Sequence, residues 1–339
     1  MKKAFFYEEL EDKKARCNTC PRRCILEDGE IGFCGIRKNL RGKINLLTYG
    51  LPVSSSVDPI EKKPFFHFAP GTDVYSIATM GCNLRCKFCQ NYSISYGWSE
   101  IEGINLSPEK VVKNAEDTGS KGIAYTYTEP TVFLEYCLDT VKKTGEKTFN
   151  LFVSNGYMTK EVAGRVGENI DGINIDLKGG KEFYGDLCDV HDDSPIYDAL
   201  KILKRKGVFI EITMLIIPGF NDSEEEIRER VEWVKENLGR ETPIHFSRFT
   251  PRHKMSDVPP TPVETLEKAM DIADKTGMLY VYCGNIPGHQ REHTYCPECG
   301  KEVIKRRGMR VVEINFNNYG GCNNCGCEIN IGGKDYMDL

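Results

Sequence analysis

Seven apolar, β-rich runs recur between residues 73 and 288: DVYSIATMG, GIAYTYTE, FNLFVSNG, GINIDLK, FIEITMLII, IHFSRFT and LYVYCGN. Near-continuous hydrophobicity of this kind suits strands buried on both faces, as in parallel sheets. Helical patterns lie between the runs. Ser223 and Glu226 form a capping box, with Ile227, Val231, Val234 and Leu238 following on one face. Thr261, Pro262 and Glu264 mark another helix start, Gly277 its end, and Ser107-Pro108 opens an earlier helix. Strand–helix alternation repeated about six times predicts a parallel α/β architecture, barrel-like or doubly wound. Polar residues gather at the strand ends: Thr128-Glu129, Ser154-Asn155, Asp176 with Lys178, and Thr250. Barrels carry their sites at the C-terminal ends of strands, so this favours a full or partial barrel.

The cysteines constrain the rest. Of 15, 12 fall in three tight groups, and an odd number cannot all pair as disulfides. Grouped cysteines in a reducing compartment point to metal, and such a thiol load suits an anaerobe. The groups divide the chain into an N-terminal Cys-rich segment with a lead-in loop (1–72), the α/β region (73–288) and a C-terminal four-Cys segment (289–339).

The central group reads GCNLRCKFCQN from Gly81, placing Cys82, Cys86 and Cys89 just after the first run of the α/β region. Thiolates suit iron–sulfur clusters. A four-iron cube needs four ligands and this loop supplies three, leaving one iron open for a substrate or cofactor. Part of a zinc site, or an ordinary ferredoxin-like loop, has the same spacing.

GCNLRCKFCQN closely resembles the signature loop of radical S-adenosylmethionine (SAM) enzymes, and the alternation resembles their partial (β/α)6 TIM-like barrel. That resemblance implies a 4Fe–4S cluster on Cys82, Cys86 and Cys89 that binds SAM and cleaves it reductively. The product is a 5′-deoxyadenosyl radical that abstracts hydrogen from a substrate. It further implies that Phe88 lies near adenine and that Thr128 and Glu129 stand where the family's Gly-Gly-Glu holds the SAM amine, although two of those three positions differ here. Ser154 and Asn155 resemble a segment near the ribose or carboxylate, and Asp176 with Lys178 the SAM-contacting segment of glycyl-radical-enzyme activases, such as pyruvate formate-lyase activating enzymes. Those activases have a histidine near Thr250 that this chain lacks there; His245 and His253 are the candidates to compensate.

The likeness extends to VDPIEKKPFFHFAPG, IDLKGGKEFYGDL, LIIPGFNDS and HFSRFTPRHKMSDVPPTP, which resemble the radical SAM member of the AmmeMemoRadiSam system. AMMECR-type and Memo-type proteins are the partners this implies, and Lys63 and His67 of the first stretch are expected near the mouth of the barrel.

The C-terminal knuckles Cys296-x2-Cys299 and Cys322-x2-Cys325 supply a closed four-thiolate site of zinc-ribbon or rubredoxin type, for zinc or mononuclear iron, with Cys327 as a spare. Cys17, Cys20, Cys24 and Cys34 supply a further four thiolates, for zinc or an auxiliary 4Fe–4S cluster. Cys137, Cys188 and Cys283 stand alone; Cys137 and Cys283 are expected in packing.

The net charge of -5 argues against general affinity for nucleic acid or anionic membrane, and Lys305-Arg306-Arg307 reads as a solvated patch. No apolar stretch approaches the ~18 residues that span a bilayer. A cytoplasmic oxidoreductase or activase is expected, its substrate open among protein, peptide and small molecule, its electrons from a flavodoxin or ferredoxin. The contrasting expectation is a non-enzymatic iron–sulfur electron carrier.

Overall fold

The computed structural model describes residues 1–337; positions 338 and 339 of the expected C-terminal segment lie outside the described residues. One sheet holds eight strands: β1 (Ser54–Pro59), β2 (Asp73–Ala78), β3 (Gly122–Tyr125), β4 (Phe149–Ser154), β5 (Gly172–Asp176), β6 (Phe209–Ile216), β7 (Ile244–Arg248) and β8 (Val281–Gly284). They lie side by side in chain order. β1 runs antiparallel to β2, and every later neighbour is parallel. Among the described residues no ladder joins β1 to β8, so the sheet is open there.

The crossovers carry α1 (Pro108–Asp117), α2 (Leu134–Val141), α3 (Lys160–Gly167), α4 (Lys181–Cys188), α5 (Ser194–Arg205), α6 (Glu224–Leu238) and α7 (Val263–Thr276). Half of the capping box at α6 forms: Ser223 Oγ accepts from Glu226 N at 3.3 Å, while the Glu226 carboxylate accepts from that hydroxyl at 3.0 Å and not from the Ser223 backbone N–H. Ile227, Val231, Val234 and Leu238 are buried on its inner face. Gly277 ends α7 in the left-handed conformation, φ +94°. Thr261 does not cap that helix. Its hydroxyl donates to Ile216 O and accepts from Phe249 N, stitching the ends of β6 and β7 together.

β1 is a correction. Its stretch belongs to what the sequence presents as an irregular lead-in, because Ser54-Ser55-Ser56 offers no apolar alternation. The residue it buries is instead Asp58, whose carboxylate takes Lys63 Nζ at 2.8 Å and the Tyr127 hydroxyl at 2.5 Å. The following segment, 64–69, plugs the N-terminal ends of the parallel strands. Phe68 packs edge-on against Phe149 and Phe209, and Glu211 of β6 accepts the backbone N–H groups of Phe66 and His67. His67 therefore does not stand at the mouth where the site residues gather, whereas Lys63 reaches the Tyr127 ring at 4.1 Å, beside Thr128-Glu129. Lys63 is buried on Asp58, and His67 sits at the opposite end between Asn330 O and the Tyr282 hydroxyl.

The C-terminal segment packs on that same N-terminal end. Ala69 N donates to Gly332 O and Gly332 N to His67 O. Arg306 is buried, not part of a solvated patch: it donates to Phe66 O, Glu292 O and Thr294 Oγ1 and lies 3.6 Å from Glu61.

The N-terminal segment forms two small antiparallel sheets, from residues 2–3, 37–40 and 43–46, and from 7–9, 15–17 and 25–26. It sits at the other end, near the starts of α2 and α3, where Thr159 Oγ1 donates to Asn18 O at 3.0 Å. Its anchor is a buried ion pair. Arg37 donates to both Glu135 carboxylate oxygens at 3.2 and 2.6 Å and to Val132 O at 2.9 Å, with the side chains 2% and 0% exposed. Removing one partner of such a pair strands the other charge and typically costs about 3–5 kcal/mol. Glu135→Ala should accordingly lose about that much in urea unfolding, whereas Arg37→Met with Glu135→Leu should recover most of it.

Candidate functional site

The loop after β2 begins at Gly81, whose φ of +107° favours glycine and where an added Cβ would lie 2.8 Å from Ile36. From there the backbone is fastened on several sides. Arg85 N donates to Cys188 O and Lys87 N to Leu187 O, tying the loop to the end of α4. Lys254 N donates to Lys87 O, and the Tyr96 hydroxyl to Cys86 O at 2.6 Å. Cys82 Sγ accepts from Leu84 N at 3.4 Å and lies 3.8 Å from Asn155 Nδ2, while Cys89 Sγ lies 3.8 Å from Ser95 Oγ. Burial pushes the Cys82 and Cys89 thiols up; at Cys86 the larger cause is a hydrogen bond with Cys188. A cationic metal centre reverses that preference, because thiolates bound to metal lose their protons. The donor set therefore fits an iron–sulfur cluster.

The strand-end residues converge beside this loop. Glu129 follows β3 and is fully buried, and its carboxylate accepts from Thr131 N, Ser154 Oγ and Asn155 N at 3.0, 2.8 and 2.8 Å. Burial raises its pKa against those donors. Asn155 Nδ2 donates to Asn83 Oδ1 at 2.9 Å, and Asn83 follows Cys82 directly, so one chain of polar contacts runs from cysteine loop to carboxylate. Thr128 instead turns back on the sheet, donating to Thr79 O at 2.8 Å.

Asp176 and Lys178, at the end of β5, form an ion pair of 2.8 Å. Burial opposes the lysine's charge, but Asp176 and the Cys86 thiol outweigh it and hold Lys178 well above the ordinary lysine value. Its ammonium lies 5.9 Å from the Phe88 ring, and that ring packs 5.7 Å from Phe183. Of the two candidate histidines, His245 is bound to Glu211 at 2.7 Å, towards the plugged end of the sheet. His253 stacks on Tyr92 with centroids 4.2 Å apart, beside the cysteine loop.

Asn83, Cys188 and Arg85 have no site role in the sequence. Asn83 lies inside the cysteine motif but carries no signal of its own. Cys188 meets Cys86 only because α4 ends there. Cys137 and Cys283 are buried in the core as expected.

Cys296, Cys299, Cys322 and Cys325 form the compact group, with all four sulfurs within 4.8 Å of one another. Cys296–Cys325 is 3.5 Å and Cys299–Cys322 3.8 Å. Metal–sulfur bonds of about 2.3 Å in a tetrahedron put sulfurs about 3.8 Å apart, so the group fits one ion. The Lys301 backbone N–H helps draw the Cys299 thiol down to about 6. Cys327 turns towards Glu328 O, at 3.5 Å. The N-terminal cysteines surround a different space, a small cavity lined by Cys17, Cys20, Cys24 and Cys34 together with Arg22 and Phe33.

Residues 76–231 match the Radical SAM superfamily. An uncharacterised protein of Methanocaldococcus jannaschii is 45% identical over 334 residues, spanning 98% of this chain and 99% of its own. The pyruvate formate-lyase-activating enzyme of Clostridium pasteurianum is 24% identical over 46% of this chain and 66% of its own length. Among solved structures, a radical SAM methyltransferase from Sphaerobacter thermophilus shares the fold at 14% identity and TM-score 0.50, over 63% of this chain and 66% of that one. Streptococcus suis SuiB bound to S-adenosylmethionine also reaches TM-score 0.50, at 14% identity over 66% and 55% of the two chains.

Structural metal sites contribute folding energy directly. The double substitution Cys299→Ser with Cys322→Ser should release the C-terminal ion, read by elemental analysis. It should also lower the melting temperature by on the order of 10 °C and expose residues 289–337 to protease.

Proposed function

Because this chain belongs to the radical SAM superfamily, we propose that Cys82, Cys86 and Cys89 hold a 4Fe–4S cluster with one open iron and that SAM binds beside it. When bound and reduced, this pair supplies a 5′-deoxyadenosyl radical able to take hydrogen from an unactivated C–H bond. The polar chain Cys82–Asn155–Glu129 carries the reading, since it fixes the cysteine loop against the ends of β3 and β4. In this reading Glu129 faces the SAM amine, a cation that offsets the cost of its buried negative charge. Ser154 and Asn155 orient the carboxylate through the bonds they donate and supply contacts to SAM. Asp176 and Lys178 bound the same space, Phe88 gives it an apolar wall, and Thr128 holds the loop to Thr79.

The activase likeness supports a narrower version: the substrate is a partner protein, and the abstracted hydrogen comes from a glycine. A flavodoxin or ferredoxin is the proposed electron donor, and AMMECR-type and Memo-type proteins the proposed partners. The C-terminal tetrad would hold zinc or mononuclear iron, and the N-terminal group a further metal centre.

Anaerobically reconstituted protein with SAM and dithionite should release 5′-deoxyadenosine and methionine, quantified by mass spectrometry, and Cys86→Ala should release none. Glu129→Ala should weaken SAM binding at least tenfold, about 1.4 kcal/mol, in titrations of the cluster's electron paramagnetic resonance (EPR) spectrum. Product from Cys86→Ala, or unaltered SAM affinity in Glu129→Ala, would remove the proposal.

A further inference from the structure

The four N-terminal cysteines differ from the C-terminal tetrad in spacing. Among the described residues, Cys296, Cys299, Cys322 and Cys325 form the potential ligand group that closes to within 4.8 Å, the spacing of ligands on one ion; no three of Cys17, Cys20, Cys24 and Cys34 do so. Cys82, Cys86 and Cys89 are open in the same way. Thiolates on one ion share an apex, whereas thiolates on a four-iron cube each bind a different iron and stand further apart. The N-terminal sulfurs, like those of the cluster loop, therefore lack the spacing of a one-ion site. All four cysteines line one small cavity. Three of the cysteines are at most 9% exposed and Cys24 is partly exposed.

Charge points the same way. Arg22 lines this cavity, and its guanidinium lies 3.4 Å from the centre of the Phe33 ring. Arg85 lies 4.1 Å from the same ring and donates to Phe33 O, Cys82 O and Leu84 O. No carboxylate pairs with Arg85 among the described residues, whereas Arg22 lies 3.6 Å from Asp189 Oδ2. A part-buried guanidinium bonded only to carbonyls calls for a nearby anion, and a cluster carrying four thiolates is one. Arg22 also donates to Asn83 O at 2.6 Å, so the wall of the cavity touches the residue after Cys82.

We propose that Cys17, Cys20, Cys24 and Cys34 ligate a second 4Fe–4S cluster, all four of whose irons are taken by protein thiolates, and that it passes electrons to the Cys82 loop across the Arg22–Phe33–Arg85 contact. This assignment rests on the radical SAM reading only for the destination of the electron. With no open iron the cluster binds neither SAM nor substrate. In each transfer it gives up one electron and is oxidised, the SAM-site cluster gains that electron and is reduced, and no bond is made or broken at its irons. A low-potential one-electron donor protein of the flavodoxin or ferredoxin class restores the electron.

The test starts from the full chain with Cys82, Cys86 and Cys89 all replaced by Ala, reconstituted anaerobically with iron and sulfide. Beyond the single ion of the C-terminal tetrad, this variant should keep about four irons of the cluster type and, after dithionite, an EPR signal that neither SAM nor imidazole alters. Adding Cys24→Ala should abolish the signal or make it imidazole-sensitive. Adding Cys20→Ser with Cys34→Ser should abolish the cluster, with circular dichroism checking the fold. No iron beyond the single ion of the C-terminal tetrad, a signal that responds to SAM or imidazole in the parent variant, or a signal indifferent to Cys24→Ala would each overturn the assignment. Because the parent variant lacks the SAM-site cysteines, these outcomes are independent of whether the wild type cleaves SAM.

Discussion

The open end of the sheet is organised by one buried carboxylate. Glu129 leaves β3, caps the turn that begins at Pro130 through Thr131 N, and takes both the hydroxyl and the next backbone N–H at the end of β4. Parallel strands bring their C-terminal ends to one side but do not set the loops that follow. Here a single acceptor fixes two of those loops, and Asn155 passes the constraint on to Asn83 and the cysteine loop. Three donors reduce the cost of burying this charge, the arrangement that keeps a buried polar group tolerable.

The two ends of the sheet are treated in opposite ways. At the N-terminal end, Glu211 binds the Phe66 and His67 amides and His245, and aromatic side chains fill the space between strands and C-terminal segment. That end is a packed floor. At the other end the N-terminal segment is held through the Arg37–Glu135 pair and the approach of Ile36 to Gly81, so it rests directly against the cysteine loop.

The strands of the α/β region and the starts of α1 and α6 are legible because burial on both faces and capping chemistry are local properties. The site is legible where it coincides with strand ends, as at Glu129, Ser154, Asn155 and Asp176. What escapes the sequence depends on partners far along the chain. β1 reads as a loop because its inward residue is Asp58, made tolerable by Lys63. His67, His245 and Arg306 read as surface or site groups, yet each is buried by a neighbour from another segment. The pairing of Cys188 with Cys86 arises only when α4 docks on the cysteine loop.

The floor has a consequence for how the chain acquires its shape. Phe65, Phe66 and Phe68 are synthesised early, but residues 329–333, which cover them and bond to His67 and Ala69, emerge about 260 residues later. Contacts that distant in sequence pay their loop-closure entropy before any reward, which slows folding and leaves apolar surface uncovered in the meantime. Until the C-terminal segment arrives, the growing chain therefore carries an aromatic patch without its native cover.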